Sequence, residues 1–343
     1  MPSSAEYPAE SPAEHANAGG HADLVHCVER LLGATGLIFI PITGGVSSQL
    51  WRIDVGDRTY CVKRALPRLN VADEWIAPMR RNAEEVRWLR FAASVAPRQV
   101  PEVIAEDPDM NVAILSWFDP ARWTSWKVQL MQGLVRPAVG TEMGELLAAI
   151  HRSSAAQPEL ASAFDNIDLL SALRLEPFFI AAARDNPEVE HRLLEAVDHM
   201  KTHRTALVHG DVSPKNILIH ISRPPVLLDA ECACWADPAF DVAFLSAHLL
   251  LKSAHVSRYR DWFYETIRRL MEAYERAAPE PVGDRLPLLV PALLLARVDG
   301  KSPAEYLSEK VRDKVRKNAL RLLLEPAESF AAMVEDWRLT FYP

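Results

Sequence analysis

Apolar positions along the chain change period several times, and each change marks an element. From His21 to Leu32 the residues Leu24, Val25, Val28, Leu31 and Leu32 recur at helical spacing, which predicts a helix. The next stretch, FIPITGGVSSQLWRIDVGDRTYCVKRA, mixes Leu50, Ile53 and Val55 with polar neighbours, as a strand does. Gly56-Asp57 is a turn pair and TYCVKR resumes the strand, so a hairpin is expected after a glycine turn, with Lys63 on a following or continuing strand. Residues 78–95 put Val86, Leu89 and Ala93 on one helical face, and Pro97 and Pro101 stop that helix. Val103 to Trp117 reads as two short strands around the Asp107-Pro108-Asp109 turn.

Beyond Trp117 the helical period dominates. Met143, Leu146, Leu147 and Ile150 share a face, residues 167–203 read as two helices, and the chain from Ala239 onward is helical with breaks near Pro279–Pro287 and Gly300–Pro303. Two segments interrupt this: ALVHGDVSPKNILIH reads as strand, polar loop, strand, and PPVLLDAE as another short strand. The expected fold class is therefore α+β and bilobal, with a tail at 1–20, a small β-rich lobe at 21–116 and a larger, mostly helical lobe at 117–343. The tail is rich in Ser, Pro, Ala and Glu and is expected to be disordered.

Composition narrows the classes. With 343 residues, 49% of them hydrophobic, the chain can bury a large core in two packed units. A formal net charge of -8 leaves no basic stripe for nucleic acid, fits a soluble cytoplasmic protein and weakly favours a cationic substrate. No apolar run reaches the roughly 18 residues of a membrane span, and the N-terminus lacks the pattern of a secretory signal, so no membrane partner is expected. Cys27, Cys61, Cys232 and Cys234 match no zinc spacing and read as reduced thiols. Oligomeric state is not set by any of these features.

The chemistry concentrates in His209-Gly210-Asp211-Val212-Ser213-Pro214-Lys215-Asn216, set between two strands. Phosphoryl transfer to a hydroxyl requires a carboxylate beside the nucleophile and oxygen ligands for Mg²⁺. Asp211 and Asn216, five apart on one loop, can face both groups into one cleft, and Asp229, thirteen residues after Asn216, can complete the metal site. H-x-D-x-x-x-x-N is the kinase catalytic-loop spacing, and the Asp-led segment Leu228-Asp229-Ala230-Glu231 follows it.

This combination resembles the aminoglycoside phosphotransferase and choline kinase-like superfamily, of protein-kinase-like fold. The resemblance implies an ATP- and Mg²⁺-dependent kinase acting on a hydroxyl of a small molecule (a sugar, polyol, amino alcohol or aminoglycoside), the alternative being a catalytically silent nucleotide-binding module of the same fold. It makes Asp211 the catalytic base and Asn216 and Asp229 the metal ligands. Asp241, in Asp237-Pro238-Ala239-Phe240-Asp241, would brace the catalytic loop, and His151, in Gly144 to His151, would be structural. Upstream, Lys63 follows Val62 as a phosphate-binding lysine does, paired with Glu85 or its neighbour Glu84. Gly44, Gly45, Ser47 and Ser48 would cradle the phosphates. Ser116 to Asp119 would form the hinge, with Ser116 and Phe118 against the adenine.

Only seven residues separate Asp229 from Asp237, too few for the activation segment of a protein kinase, so a small acceptor is expected. The run VKRALPRLNVADEWIAPMRRNAEEVRWL is similar to a region of methylthioribose kinases. Their loop reads D-L-H-T-G-S where this one reads D-V-S-P-K-N, and their pair of adjacent late arginines reduces here to Arg297, which makes methylthioribose itself a poor fit. Glu231, Trp235 and Asp237 lie in sequence near the expected transfer site and are candidate acceptor contacts. Arg297, Asp299 and Lys301 read either as a helix end capped by Gly300 or as a further acceptor contact.

Overall fold

Five short alternating runs pair into one antiparallel sheet, and the rest of the chain packs as helices beside it. The computed structural model describes residues 18–43, 47–66 and 78–341. The sheet contains β1 (Ile40–Ile42), β2 (Ser48–Val55), β3 (Arg58–Ala65), β4 (Val103–Asp107) and β5 (Val112–Ser116), in the order β1-β2-β3-β5-β4. The β2–β3 hairpin turns at Gly56, whose φ of 62° only glycine adopts without strain. Helix α1 (Ala18–Leu32) lays Leu24 and Val28 on one face of the sheet, against Trp51, Ile53, Val62, Val112 and Ile114.

The period of two then places Lys63 on the opposite face from Val62. There it sits across from Leu50 of β2 and Ala113 of β5, beneath α2 (Arg81–Val95). Val86, Trp88 and Leu89 of α2 join Ala113 and Leu115 in the larger core, so α2 ties the sheet to the helices.

The helical part begins with β6 (Thr124–Ser125), α3 (Trp126–Met131), α4 (Ala138–Ala155), α5 (Leu160–Ala163) and α6 (Ile167–Leu170). A π-helical segment, Ser171–Ile180, leads into α7 (Ala181–Asp185) and α8 (Glu190–Thr202). Strands β7 (Ala206–Val208), β8 (Ile217–Ile219), β9 (Val226–Leu227) and β10 (Cys234–Ala236) then carry the polar loops. Helices α9 (Ala239–His255), α10 (Arg260–Glu275), α11 (Leu286–Asp299), α12 (Glu309–Leu324) and α13 (Phe330–Phe341) complete the chain. A small antiparallel sheet against a mostly helical remainder is the α+β order that the apolar pattern predicts.

Two local differences matter below. Residues 167–203 form a broken series rather than two helices, because Pro177 cannot donate to a regular helical ladder and sits within the π-helical turn. Strand β10, unforeseen in the sequence, pairs antiparallel with β7 and sets Trp235 opposite Leu207. All four cysteines are free thiols. No helix among the described residues is long and apolar enough to cross a membrane.

Candidate active site

Strand β7 delivers the loop that begins at His209, and α9 holds it by the backbone. Asp241, in the first turn of α9, accepts the His209 N–H at 2.7 Å and the Gly210 N–H at 2.8 Å. His151 of α4 contacts the same carboxylate at 3.2 Å and the Tyr274 hydroxyl at 2.9 Å, a wholly buried chain that fixes Asp241. Gly210 has φ 77°, and a Cβ there would lie 2.7 Å from Cys232 Cβ. His209 contacts the Leu228 carbonyl through Nε2 at 3.0 Å and accepts the Asp211 N–H at Nδ1 at 3.1 Å. Burial holds its pKa below the usual histidine value, so the ring is a neutral strut rather than an acid.

Asp211 is thereby aimed into the cleft with three partners. Asn216 donates to its Oδ2 at 2.9 Å, Arg174 pairs with it at 2.7 Å and Lys215 at 3.2 Å. Burial pushes the carboxyl's pKa up, but Arg174 and Lys215 outweigh it and leave Asp211 below the ordinary carboxylate value, ionised at neutral pH. Across the cleft, the Lys63 ammonium sits 2.6 Å from Glu85, 2.5 Å from Asp229 and 3.1 Å from Glu231. Burial opposes its charge, yet these carboxylates raise its pKa well above that of a free lysine. Glu85 is driven the other way from a free acid, upward, by burial and by Asp229 and Glu231. Glu84 turns away to pair with Arg87, which settles Glu85 as the partner of Lys63. Asp229 has φ 69°, a conformation rare for a side chain without glycine's freedom and typical of functional positions.

The family model described as the phosphotransferase enzyme family matches residues 38–277, from the sheet through α10. The chain belongs to this family. Curated relatives of this phosphotransferase include the methylthioribose kinase of Bacillus cereus (strain AH820), 25% identical over 281 residues that cover 68% of this chain and 70% of the relative. A methylthioribose kinase of Bacillus anthracis is 24% identical over the same extent. Among solved structures, aminoglycoside phosphotransferase APH(4)-Ia superposes with a TM-score of 0.52 at 14% identity, over 90% of this chain and 99% of the other. The ADP-bound aminoglycoside phosphotransferase APH(2'')-Ib gives 0.50 at 14% identity, over 89% and 97%. These likenesses establish the protein-kinase-like fold for this phosphotransferase.

The residues expected to ligate a metal suit Mg²⁺. Both side-chain amide hydrogens of Asn216 are committed to Asp211, one to its backbone carbonyl at 3.1 Å, which leaves Asn216 Oδ1 as the end that can face a metal. The Asp229 side chain is 29% exposed while that of Glu85 is 3% exposed, so Asp229 is the carboxylate open to the cleft. Oxygen-only donors of this kind are the ones Mg²⁺ takes.

Other expected residues divide. Gly44 and Gly45 lie outside the described residues, as does the 67–77 part of the run similar to methylthioribose kinases. Ser47 lines the cleft, but Ser48 is buried and donates to Glu231 at 2.8 Å, so its hydroxyl is already committed. Ser116 ends β5 and accepts the Glu102 N–H at 3.1 Å, and Phe118 packs edge-on against Trp123 at 5.1 Å. Glu231 reaches the cleft as a partner of Lys63, Ser48 and Arg81.

Trp235 and Asp237, candidate acceptor contacts in the sequence, are placed elsewhere. Trp235 is a buried β10 residue whose indole N–H donates to the Arg204 carbonyl at 2.9 Å. Asp237 is fully buried and pairs with Arg285 at 2.8 Å, and Arg285 in turn pairs with Glu280 at 2.6 Å. Arg297 does line the cleft, whereas Asp299 faces Arg316 at 2.7 Å and Lys301 is exposed. Gly300 is not a left-handed cap (φ is -85°). Its missing Cβ lets the chain approach the Pro177 carbonyl, which would lie 3.0 Å from such an atom.

Sequence reasoning missed Arg81 and Arg174. Arg81 is buried and reaches Glu231 at 3.2 Å and the Ser47 carbonyl at 2.7 Å, pinning the start of β2 to Glu231. Its place four residues before Glu85 was a usable signal, since such residues share a helix face. Arg174 is the one cation of the largely apolar run SALRLEPFF, and a cation on a buried helix calls for a buried partner.

Proposed function

We propose that this phosphotransferase moves the γ-phosphoryl group of ATP to a hydroxyl of a small molecule, with Asp211 as the base. The observation that carries the reading is the convergence of Asp211, Asn216 and Asp229 with the Lys63–Glu85 pair on one cleft. In this reading residues 21–116 bind the nucleotide phosphates, through Lys63, Gly44, Gly45 and Ser47, and place adenine at Ser116 to Phe118. Residues 117–343 carry the catalytic loop and the acceptor site.

Asp211, ionised and oriented by Asn216 and Arg174, accepts the proton of the acceptor hydroxyl. That oxygen forms the new O–P bond as the bond to the ADP oxygen breaks, and the proton later passes from Asp211 to water. Asn216 and Asp229 would hold Mg²⁺, which when bound offsets the charge that develops on the phosphoryl oxygens. Lys63 serves the phosphates, and Glu85 keeps its ammonium in line.

A small acceptor is favoured over a protein because Cys234–Ala236, between Asp229 and Asp237, is a buried strand paired with β7. The short link is thereby built into the core and offers no platform for a peptide. Free thiols at all four cysteines fit a reducing compartment such as the cytoplasm.

The test is ADP release from Mg²⁺-ATP with sugars, polyols, amino alcohols and aminoglycosides in parallel with casein. At least one small hydroxyl compound should stimulate release, EDTA should abolish it, and casein should have no effect. Phosphate incorporated into casein serine or threonine would overturn the small-molecule assignment.

A further inference from the structure

The cavity at Asp211 measures about 400 Å³ and extends away from the Lys63 cluster to a wall built by α9, α11 and the segment after α11. Lys252, on α9, lines it and is only 2% exposed. Among the described residues nothing accepts a hydrogen bond from its ammonium and no carboxylate pairs with it. Its neighbour is the Tyr306 ring, with Nζ 5.0 Å from the centroid. Arg297, on α11, stacks on Phe178 at 5.7 Å and donates to the Ser302 hydroxyl at 2.7 Å and to the Ser302 carbonyl. No carboxylate of the described residues pairs with Arg297 either. Three buried polar atoms on this wall have no partner among the described residues: Arg297 Nε, Tyr306 Oη and His248 Nδ1.

The contrast with the rest of the interior is what gives this wall meaning. Arg174 is matched by Asp211, Lys63 by three carboxylates, Arg285 by Asp237 and Arg316 by Asp299. A buried cation without such a partner is costly, and two side by side are costlier. The charges that act on Lys252 are Arg297 and Lys127, both repulsive; together with burial, the larger effect, they bring its pKa down to about 7. The wall's one carboxylate, Glu305, is exposed. An arrangement of this kind is stable and useful when a ligand supplies the missing negative charge.

We propose that Lys252 and Arg297 bind an anionic group of the acceptor, a carboxylate or a phosphate ester, while the acceptor hydroxyl lies at Asp211. Tyr306 and His248 give the anion or its neighbouring hydroxyls further hydrogen bonds. The proposal rests on the kinase reading above and sharpens it, because a polycationic acceptor such as an aminoglycoside would be repelled by this wall.

Matched acceptors test it: glycerol, glycerate and glycerol 3-phosphate, then ribose, ribonate and ribose 5-phosphate, each assayed for Mg²⁺-ATP-dependent ADP release. A charged member should exceed its neutral parent in kcat/KM by about tenfold or more, an effect of one well-placed charge pair. The carboxylate and phosphate arms show which anion fits. In Lys252→Met and in Arg297→Gln that ratio should fall about tenfold, chiefly through KM. The same acids without nucleotide should raise the Tm of the wild type and not of Lys252→Met. A wild type that prefers neutral or aminoglycoside acceptors, or a ratio unchanged in the folded variants, overturns the proposal while leaving the kinase reading standing. Acids that stabilise only the wild type, with no acceptor phosphorylated, would support the anion site and contradict the kinase reading.

Discussion

The fold disfavours the charge of Lys252. Its pKa of about 7 lies below the 10.5 of an unperturbed lysine, because burial and the nearby Arg297 and Lys127 disfavour the ammonium. Between those two values the unfolded chain binds a proton that the folded chain does not, so this residue's contribution to stability rises with pH across that window. Below about pH 7 the full penalty applies. Lys252→Met is therefore expected to raise the Tm, more at about pH 6 than at about pH 9. Thermal unfolding at both values checks this, and an equal or absent gain would mean that the ammonium is satisfied in the fold. At this scale the sequence was partly legible. Lys252 in HLLLKSAH, Arg174 in SALRLEPFF and Arg297 in LLLARV are each a lone cation in an apolar run, and only Arg297 was singled out. The net charge of -8 pointed weakly to a cationic substrate, but net charge averages over the surface and says little about one buried wall.

At the scale of elements, the backbone of the His209–Asn216 loop is tied at both ends. Asp241 holds the N–H groups of His209 and Gly210, and the Leu228 N–H donates to the Asn216 carbonyl at 2.8 Å. Gly210→Ala would force a side chain into a left-handed conformation and against Cys232. A loss of about 2–4 kcal/mol in unfolding free energy is expected from strain plus overpacking, measured by denaturant titration. A loss below about 0.5 kcal/mol would show that the loop relaxes freely. The loop was readable because its residues are consecutive and flanked by strand patterns. Lys63 was readable from strand alternation, but one helical step left Glu84 and Glu85 open until the Arg87 pairing of Glu84 separated them. The π-helical turn at Pro177 was not readable, since the apolar period there fits a regular helix nearly as well. Strand β10 was missed for a related reason: three residues that pair with β7 carry no period of their own.

Across the whole molecule, the sheet supplies Lys63 and the helical part supplies Asp211, Asn216 and Asp229. Glu231 joins the two sides, taking the Ser48 hydroxyl and the Arg81 guanidinium from the sheet side. Contacts between residues more than 100 positions apart, such as Ser48 with Glu231, leave no mark on local pattern, which is why Ser48 was read as a phosphate contact. Trp235 and Asp237 were misplaced by the same limit: nearness in sequence to Asp229 suggested the transfer site, and β10 and Arg285 draw them into the core. The central claim, that Asp211 acts on the acceptor and not on the nucleotide, is tested by Asp211→Asn. This change keeps the size of the side chain and removes its charge. ATP affinity by calorimetry should stay within about threefold of wild type, while turnover of the best acceptor falls about 10²-fold or more, the usual contribution of a general base. Wild-type turnover in a folded Asp211→Asn protein would contradict the account and remove Asp211 from the role of base.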